Sequence, residues 1–258
     1  MAFVKNNKIV VGFAGSRWLG IECFRLLAKR DDVEIKAVCF PKKTEKVWWK
    51  DVVDEDEIKR LGFKTVPWGK WNNIMFDITF SVLHGGIFGA QHLENCSLGA
   101  INLHPAPLPE YRGCNSYAHA IMNGDKEYRV TMHYIETGID TGPIIAQGTL
   151  PISIEDTGYS LYLRAQKVAL GVFTKNLPII IEKAKQGKTV KARIQNEKIA
   201  RYYTRNSLRD KKANIKWSPK KFYNFVRALD FPPFEPAYIS VGDKQIFLVT
   251  QGRLNKLQ

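Results

Sequence analysis

Three runs near the start of the chain, Lys8 to Phe13, Trp18 to Lys29 and Val33 to Phe40, read in the order strand, helix, strand. The helical run places Leu19, Cys23 and Leu26 or Leu27 on one stripe, while the flanking runs are short and apolar. A helix between two strands returns the chain to the edge it left, so the strands pair in parallel and the chain is committed to a layered α/β sheet. Asp77 to Leu83 reads as a further strand. Its end delivers His84 to Phe88 to the edge where open α/β sheets bind ligands, and Ala100 to Leu103 brings Asn102 to the same edge. With 258 residues, 45% of them hydrophobic, the chain can bury a full core and still carry a small appendage.

Several polar residues sit where such a fold exposes them. Gly12-Phe13-Ala14-Gly15-Ser16-Arg17-Trp18-Leu19-Gly20 joins the first strand to the helix, but its glycines lack the G-x-G-x-x-G spacing of a dinucleotide site. Either it is a plain tight turn, or Gly15, Ser16 and Arg17 offer a phosphate or sugar contact at a helix N-terminus. Asn102 and His104 are two apart on a strand, so their side chains leave on one side. Asp140 lies in the Gly-flanked loop Thr137-Gly138-Ile139-Asp140-Thr141-Gly142, between strand-like runs Tyr128 to Ile135 and Pro143 to Ile152. An amide donor, an imidazole base and a carboxylate to orient it are the parts that acyl transfer to an amine requires. Taken singly, His104 before Pro105 and Asp140 in its loop also read as ordinary turn residues.

The wider string decides between these readings. Ala100-Ile101-Asn102-Leu103-His104, Leu108-Pro109-Glu110-Tyr111-Arg112-Gly113, Asn123-Gly124-Asp125, Val130-Thr131-Met132-His133 and Gly138-Ile139-Asp140-Thr141-Gly142-Pro143-Ile144-Ile145 occur in this order. Together, from Ser81 to Ile152, they resemble the N10-formyltetrahydrofolate-dependent formyltransferases. The resemblance implies a Rossmann-like formyltransferase core with a mixed, mostly parallel sheet. It also implies a catalytic triad at Asn102, His104 and Asp140, and a folate pocket along the backbone of Gly86, Ile87 and Phe88 and of Glu136, Thr137, Gly138 and Asp140. Tyr111 and Arg112 fall in a proline-rich loop able to shape the acceptor pocket, where Arg112 either binds an acidic group or pins the loop through a carboxylate. In the branch of the family that formylates aminoarabinose an arginine follows this Tyr-Arg-Gly turn. Cys114 stands there in this chain, which argues against that sugar.

Charge and composition narrow the rest. No run approaches the 18 or so apolar residues of a membrane span, and Met1 to Asn7 is too polar for a secretory signal, so a cytoplasmic location is expected. Cys23, Cys39, Cys96 and Cys114 form no Cys-x-x-Cys pair, and the five histidines lack ligand spacing, so neither a metal nor a disulfide framework is expected. His84 and His92, eight apart, read as separate loop or core residues rather than a metal pair. Thr157 to Leu177 reads as a helix with Leu161, Ala165, Val168 and Val172 on its packing face, and Pro178 marks a kink or an end. Beyond Gly187 the character changes. Thirteen Lys and Arg between Lys188 and Arg227 face only Glu197 and Asp210, which accounts for eleven of the fourteen net positive charges.

That basic segment suits nucleic acid, the diphosphate of a nucleotide sugar, or a polyglutamate tail. Only 58 residues follow Ala200, too few for the C-terminal barrel of the family's tRNA enzymes. Val226 to Tyr238, with its Phe231-Pro232-Pro233-Phe234 run, resembles instead the segment after the core of the sugar N-formyltransferases, where a small hairpin follows. Tyr238 to Val241 and Gln245 to Thr250 around Gly242-Asp243-Lys244 form such a hairpin here. The expectation is a catalytic domain at 1–187 and a basic extension with a β-hairpin at 188–258. Its acceptor is expected to be a dTDP- or GDP-linked amino-dideoxyhexose, with the 4-amino-4,6-dideoxy sugar favoured, as in surface polysaccharide synthesis. The alternatives are a methionyl-tRNA or glycinamide ribonucleotide formyltransferase, or a noncatalytic RNA-binding relative. A homodimer is expected, without nucleic-acid or membrane partners. Trp48-Trp49 either touches a nucleotide base or packs locally.

Overall fold

The computed structural model describes residues 8–41 and 55–254, so Met1 to Asn7 and Trp48-Trp49 lie outside the described residues. Six strands form the central sheet: β1 (Ile9–Gly15), β2 (Val33–Cys39), β3 (Ile78–Val82), β4 (Ala100–His104), β6 (Glu127–Tyr134) and β7 (Ile144–Pro151), in the order β2-β1-β3-β4-β6-β7. The first four run parallel, and β6 and β7 are antiparallel additions at one side. The short strand β5 (Arg112–Gly113) stands apart and pairs with β8 (Tyr202–Tyr203). This is the mixed, mostly parallel sheet that the resemblance implies.

Alternation along the strands divides the core into two. Phe13 and Phe80 point to the face covered by helices α1 (Arg17–Ala28) and α5 (Gly158–Lys185), where Phe24, Phe40 and Phe173 complete a buried aromatic set. Ala14, Ala37 and Ala100 point to the other face, under Trp71, Phe76 and Phe88. Trp71 is fully buried, and Gly12 makes room for it, since a Cβ there would stand 2.7 Å from the indole.

Helix α5 continues beyond Pro178 to Lys185, so the proline does not end it. A proline in a helix costs about 3 kcal/mol. Leu177, Ile180 and Ile181 lie on the core side around it, and burying each contributes about 1.5–3 kcal/mol, so burial exceeds the cost.

The other helices are short: α2 (Glu55–Arg60), α3 (Ala90–Glu94) and α4 (Ser116–Asn123), followed late in the chain by α6 (Pro219–Leu229) and α7 (Gln251–Leu254). Ser218 caps α6 by accepting from the Lys221 N–H, and Pro219 opens it. That Ser-Pro signal of a helix start is plain in the sequence. Helix α6 docks on α4, and Arg227 donates to the Ser153 and Asp156 carbonyls at 2.9 and 2.7 Å. Between α6 and α7 lies the hairpin of β9 (Ala237–Val241) and β10 (Lys244–Leu248), turning through Gly242-Asp243.

Candidate functional site

Parallel pairing aligns the ends of β1, β3 and β4. Gly15 stands beside Val82, and Val82 beside Leu103, so Ser16-Arg17, Leu83-His84 and His104 emerge along one edge. Ser16 donates its hydroxyl to the Leu83 carbonyl at 2.5 Å, which ties two of these turns together. Arg17, Leu83 and Asn115 all have positive φ, at 60, 54 and 61 degrees, and all three line a cavity of about 670 Å³ that also reaches His104, Gly113 and Cys114. Left-handed backbone at non-glycine residues is costly and gathers where surroundings enforce it.

Asn102, His104 and Asp140 meet beside this cavity. His104 Nε2 lies 3.6 Å from Asp140 Oδ2, and both side chains are largely buried. Asp140 has a φ of 56 degrees, and its Oδ2 accepts the Gly113 N–H at 2.8 Å. Asn102 faces His133 across the β4–β6 ladder, and its Nδ2 is 3.2 Å from His133 Nε2. His133 Nδ1 is 2.7 Å from the Tyr134 carbonyl and so carries the proton, leaving Nε2 to accept from the Asn102 amide. Burial holds the His133 imidazole well below its usual pKa, with the neighbouring His104 adding to the effect and Asp140 opposing it. A neutral His133 therefore fixes which way the Asn102 amide points. It stands in a string that carried the family resemblance, yet no sequence signal gave it this role, because the role depends on cross-strand register.

The surrounding residues divide between framework and wall. Tyr111 donates its hydroxyl to Asp125 and accepts from Asn123 Nδ2 at 2.9 Å, while its ring stacks on Tyr203. Arg112 takes the loop-pinning geometry: it is buried, donates to Gln195 Oε1 from Nε and Nη2, and forms a two-pronged pair with Glu197 at 2.6 and 2.9 Å. Gly86 to Phe88 follows β3, with Phe88 buried under Trp68 and Ile87 exposed. Phe88 and Ile135 enter the same apolar cluster, so the Glu136 to Asp140 loop starts beside that stretch. Arg205 and Lys211 from the basic segment, which the sequence left without individual roles, line the cavity with Arg17. Among the described residues no group of three or more His, Cys, Asp or Glu is arranged to hold a metal. No helix there is long and apolar enough to cross a membrane.

His84 and His92 both pack on Trp68, each with a ring centroid 4.5 Å from the indole. Burial, then the charge of His92, lowers His84 to about 4, and burial lowers His119 to about 4. The unfolded chain binds protons on such rings near 6.5 and the folded chain only near 4, so the stability these neutral rings permit is present above about 6.5 and is lost as pH falls toward 4. The thermal midpoint is expected to drop across that interval, and His84→Gln to flatten the drop. A profile unchanged by His84→Gln would count against this account.

Comparison with known proteins follows from this geometry. Residues 70–177 match the family model described as formyl transferase. GDP-perosamine N-formyltransferase of Brucella melitensis is 31% identical over 172 residues, covering 67% of this chain and 64% of that protein. A methionyl-tRNA formyltransferase of Legionella pneumophila is 30% identical over 65% of this chain and 51% of its own length. The chain thus spans less than two thirds of the curated relatives it matches. Among solved structures, an N-formyltransferase of Helicobacter canadensis in complex with folinic acid and dTDP-3-aminofucose superposes with a TM-score of 0.76 at 24% identity, covering 93% of this chain and 87% of that one. A 4-N formyltransferase of Francisella tularensis gives the same TM-score at 19% identity, covering 95% and 98%. At these identities the superpositions establish the fold.

Proposed function

On the premise that the chain belongs to the formyl transferase family, we propose that it transfers a formyl group from N10-formyltetrahydrofolate to the amine of a nucleotide-linked amino-dideoxyhexose. The observation that carries this reading is the approach of Asp140 to His104 and, through His133, to Asn102, with His104 lining a cavity that Arg17, Arg205 and Lys211 also line. Three cations around one cavity, against the single carboxylate of Glu235, suit a diphosphate. Phe231, Phe234, Tyr117 and Tyr162 give the same cavity flat apolar walls, and the buried Tyr117 hydroxyl has no hydrogen-bond partner among the described residues. These features suit a sugar carrying its own hydroxyls and amine. The GDP-perosamine relative supports a 4-amino-4,6-dideoxy sugar as acceptor, and the folinic acid in the Helicobacter structure supports a folate donor.

The stretch expected to hold the folate offers exposed apolar surface to a flat ring at two points. Ile87 and Ile139 are 73% and 47% exposed, while Gly86 packs against the His84 and Trp68 rings, where a Cβ would stand 2.5 and 2.7 Å from them. N10-formyltetrahydrofolate supplies the activated formyl group when bound. Asn102, its amide oriented by His133, presents an N–H to the formyl oxygen as it gains negative charge. His104 takes the proton that the attacking amine loses and returns it to the departing nitrogen. Asp140 holds the His104 ring and stabilises its cationic form.

Two experiments test the reading. Formyl transfer is expected with N10-formyltetrahydrofolate and at least one member of a panel of dTDP-, GDP- and UDP-linked amino sugars, with the added mass on the sugar. Formylation of initiator Met-tRNA with every sugar untouched would replace the acceptor class. Arg205→Ala and Lys211→Ala are each expected to raise the KM for the nucleotide sugar about tenfold, with kcat changed less than about threefold, since these cations bind ground state and transition state alike. A KM unchanged in both variants would remove the diphosphate from this end of the cavity.

A further inference from the structure

We infer that Gln195, from the segment beyond the core, is a positioning residue that sets Asp140 for catalysis. The inference rests on the reading of Asp140 just given. Gln195 is 4% exposed and lies 55 residues along the chain from Asp140. Its Nε2 donates to the Asp140 carbonyl and to the Gly142 carbonyl, each at 2.8 Å. Its Oε1 accepts from Arg112 Nε at 3.2 Å and from Arg112 Nη2 at 2.9 Å. Both amide hydrogens and both oxygen lone pairs are thereby used. The orientation of the amide is fixed by chemistry, because the flipped form would set a carbonyl oxygen against two carbonyls and an NH2 against a guanidinium.

This one side chain grips the catalytic loop from two directions. Directly, it bonds the carbonyls on either side of Thr141, which brackets the left-handed turn at Asp140. Indirectly, it fixes Arg112, and the next residue, Gly113, donates the N–H that holds the Asp140 carboxylate. Gly113 is itself tied to the extension by pairing with Tyr203. A non-glycine residue at a φ of 56 degrees persists only where its surroundings enforce it. Among the hydrogen bonds at Asp140, the Gln195 contact is the one that acts on its backbone carbonyl. The Asp140 Oδ2 to His104 Nε2 separation is 3.6 Å, so a small relaxation of this turn would take the carboxylate out of reach of the imidazole.

The test uses the full chain with Gln195→Leu and Gln195→Glu. The second keeps the volume and an acceptor for Arg112 but removes both donors to the loop. Each is expected to lower kcat about 10- to 100-fold, as misplacement of a catalytic group by about an ångström does, with either KM changed less than about threefold. In an Asp140→Ala background the same substitutions are expected to change kcat less than about twofold, because a residue acting through Asp140 has nothing left to position. A wild-type kcat in both variants, or an equal fall with and without Asp140, overturns the inference and leaves the transferase reading standing. A crystal structure of Gln195→Glu decides the geometry without reference to activity. Asp140 is expected to leave positive φ, and its retention there would overturn the inference even if the wild-type protein proved to transfer no formyl group at all.

Discussion

His104→Ala is expected to lower formyl transfer about a thousandfold while leaving the protein folded. The size follows from the role the ring would fill, since moving the amine proton contributes about 10²- to 10⁴-fold. Stability is expected to change little, because the His104 side chain stands at the cavity wall and its own polar contacts, to the Tyr111 carbonyl at 3.5 Å and to Asp140 at 3.6 Å, are long. Single-turnover rates beside thermal midpoints check both statements. Near-normal turnover in the variant would take His104 out of the chemistry. Asn102→Ala and Asp140→Ala are expected to lose turnover by orders of magnitude as well, through the oxyanion and the imidazole respectively.

Gly142→Ala is expected to remove activity through the backbone, without touching a reacting group. A Cβ at residue 142 would stand 1.9 Å from the Tyr134 carbonyl oxygen, which is backbone and cannot swing aside. The loop from Glu136 to Thr141 must then open between its two anchoring strands, and Asp140 moves with it. The Gly142 carbonyl is also one of the two that Gln195 holds, so the same displacement undoes that contact. Turnover is expected to fall at least about 100-fold, with a stability loss of about 2–3 kcal/mol from overpacking. Gly171→Ala serves as the control. That glycine lies in α5 with nothing within 4 Å of a Cβ, so alanine there is expected to leave turnover alone and to stabilise the helix by up to about 1 kcal/mol. Normal turnover in Gly142→Ala would show that the loop tolerates the shift and that Asp140 is not geometrically critical.

Much of the positioning was local and so could be read along the chain. Short apolar runs made β1 to β4 recognisable, and the period of two placed Asn102 and His104 on one side of β4 because side chains two apart on a strand share a face. The parallel order of the first strands followed from the helix between them, and with it the edge at which Ser16, His84 and His104 emerge. The family strings carried the candidate triad further than any physical reading of single residues could, since His104 and Asp140 taken alone are also common turn residues. The hairpin at the end of the chain was visible through its apolar runs and Gly242, though its turn is one residue shorter than the sequence suggested.

What the sequence left open are the relations between residues distant along the chain. Arg112 had two readings, of which loop pinning was the more ordinary, and Gln195 and Glu197, arriving from more than 80 residues away, supply the pinning geometry. Pro178 offered a helix end as one of its two readings, and burial of Leu177, Ile180 and Ile181 carries the helix past it. The Asn102 to His133 pairing needed the register of β4 against β6, which is a long-range quantity. By itself, then, the sequence determined the sheet, the edge and the chemical types assembled there, because propensity and periodicity act over a few residues. Only the tertiary structure decided the orientation of the Asn102 amide, the hold on Asp140 and the gathering of Arg17, Arg205 and Lys211 at one cavity. Each of these depends on hydrogen bonds or charges that become neighbours only after distant segments have packed.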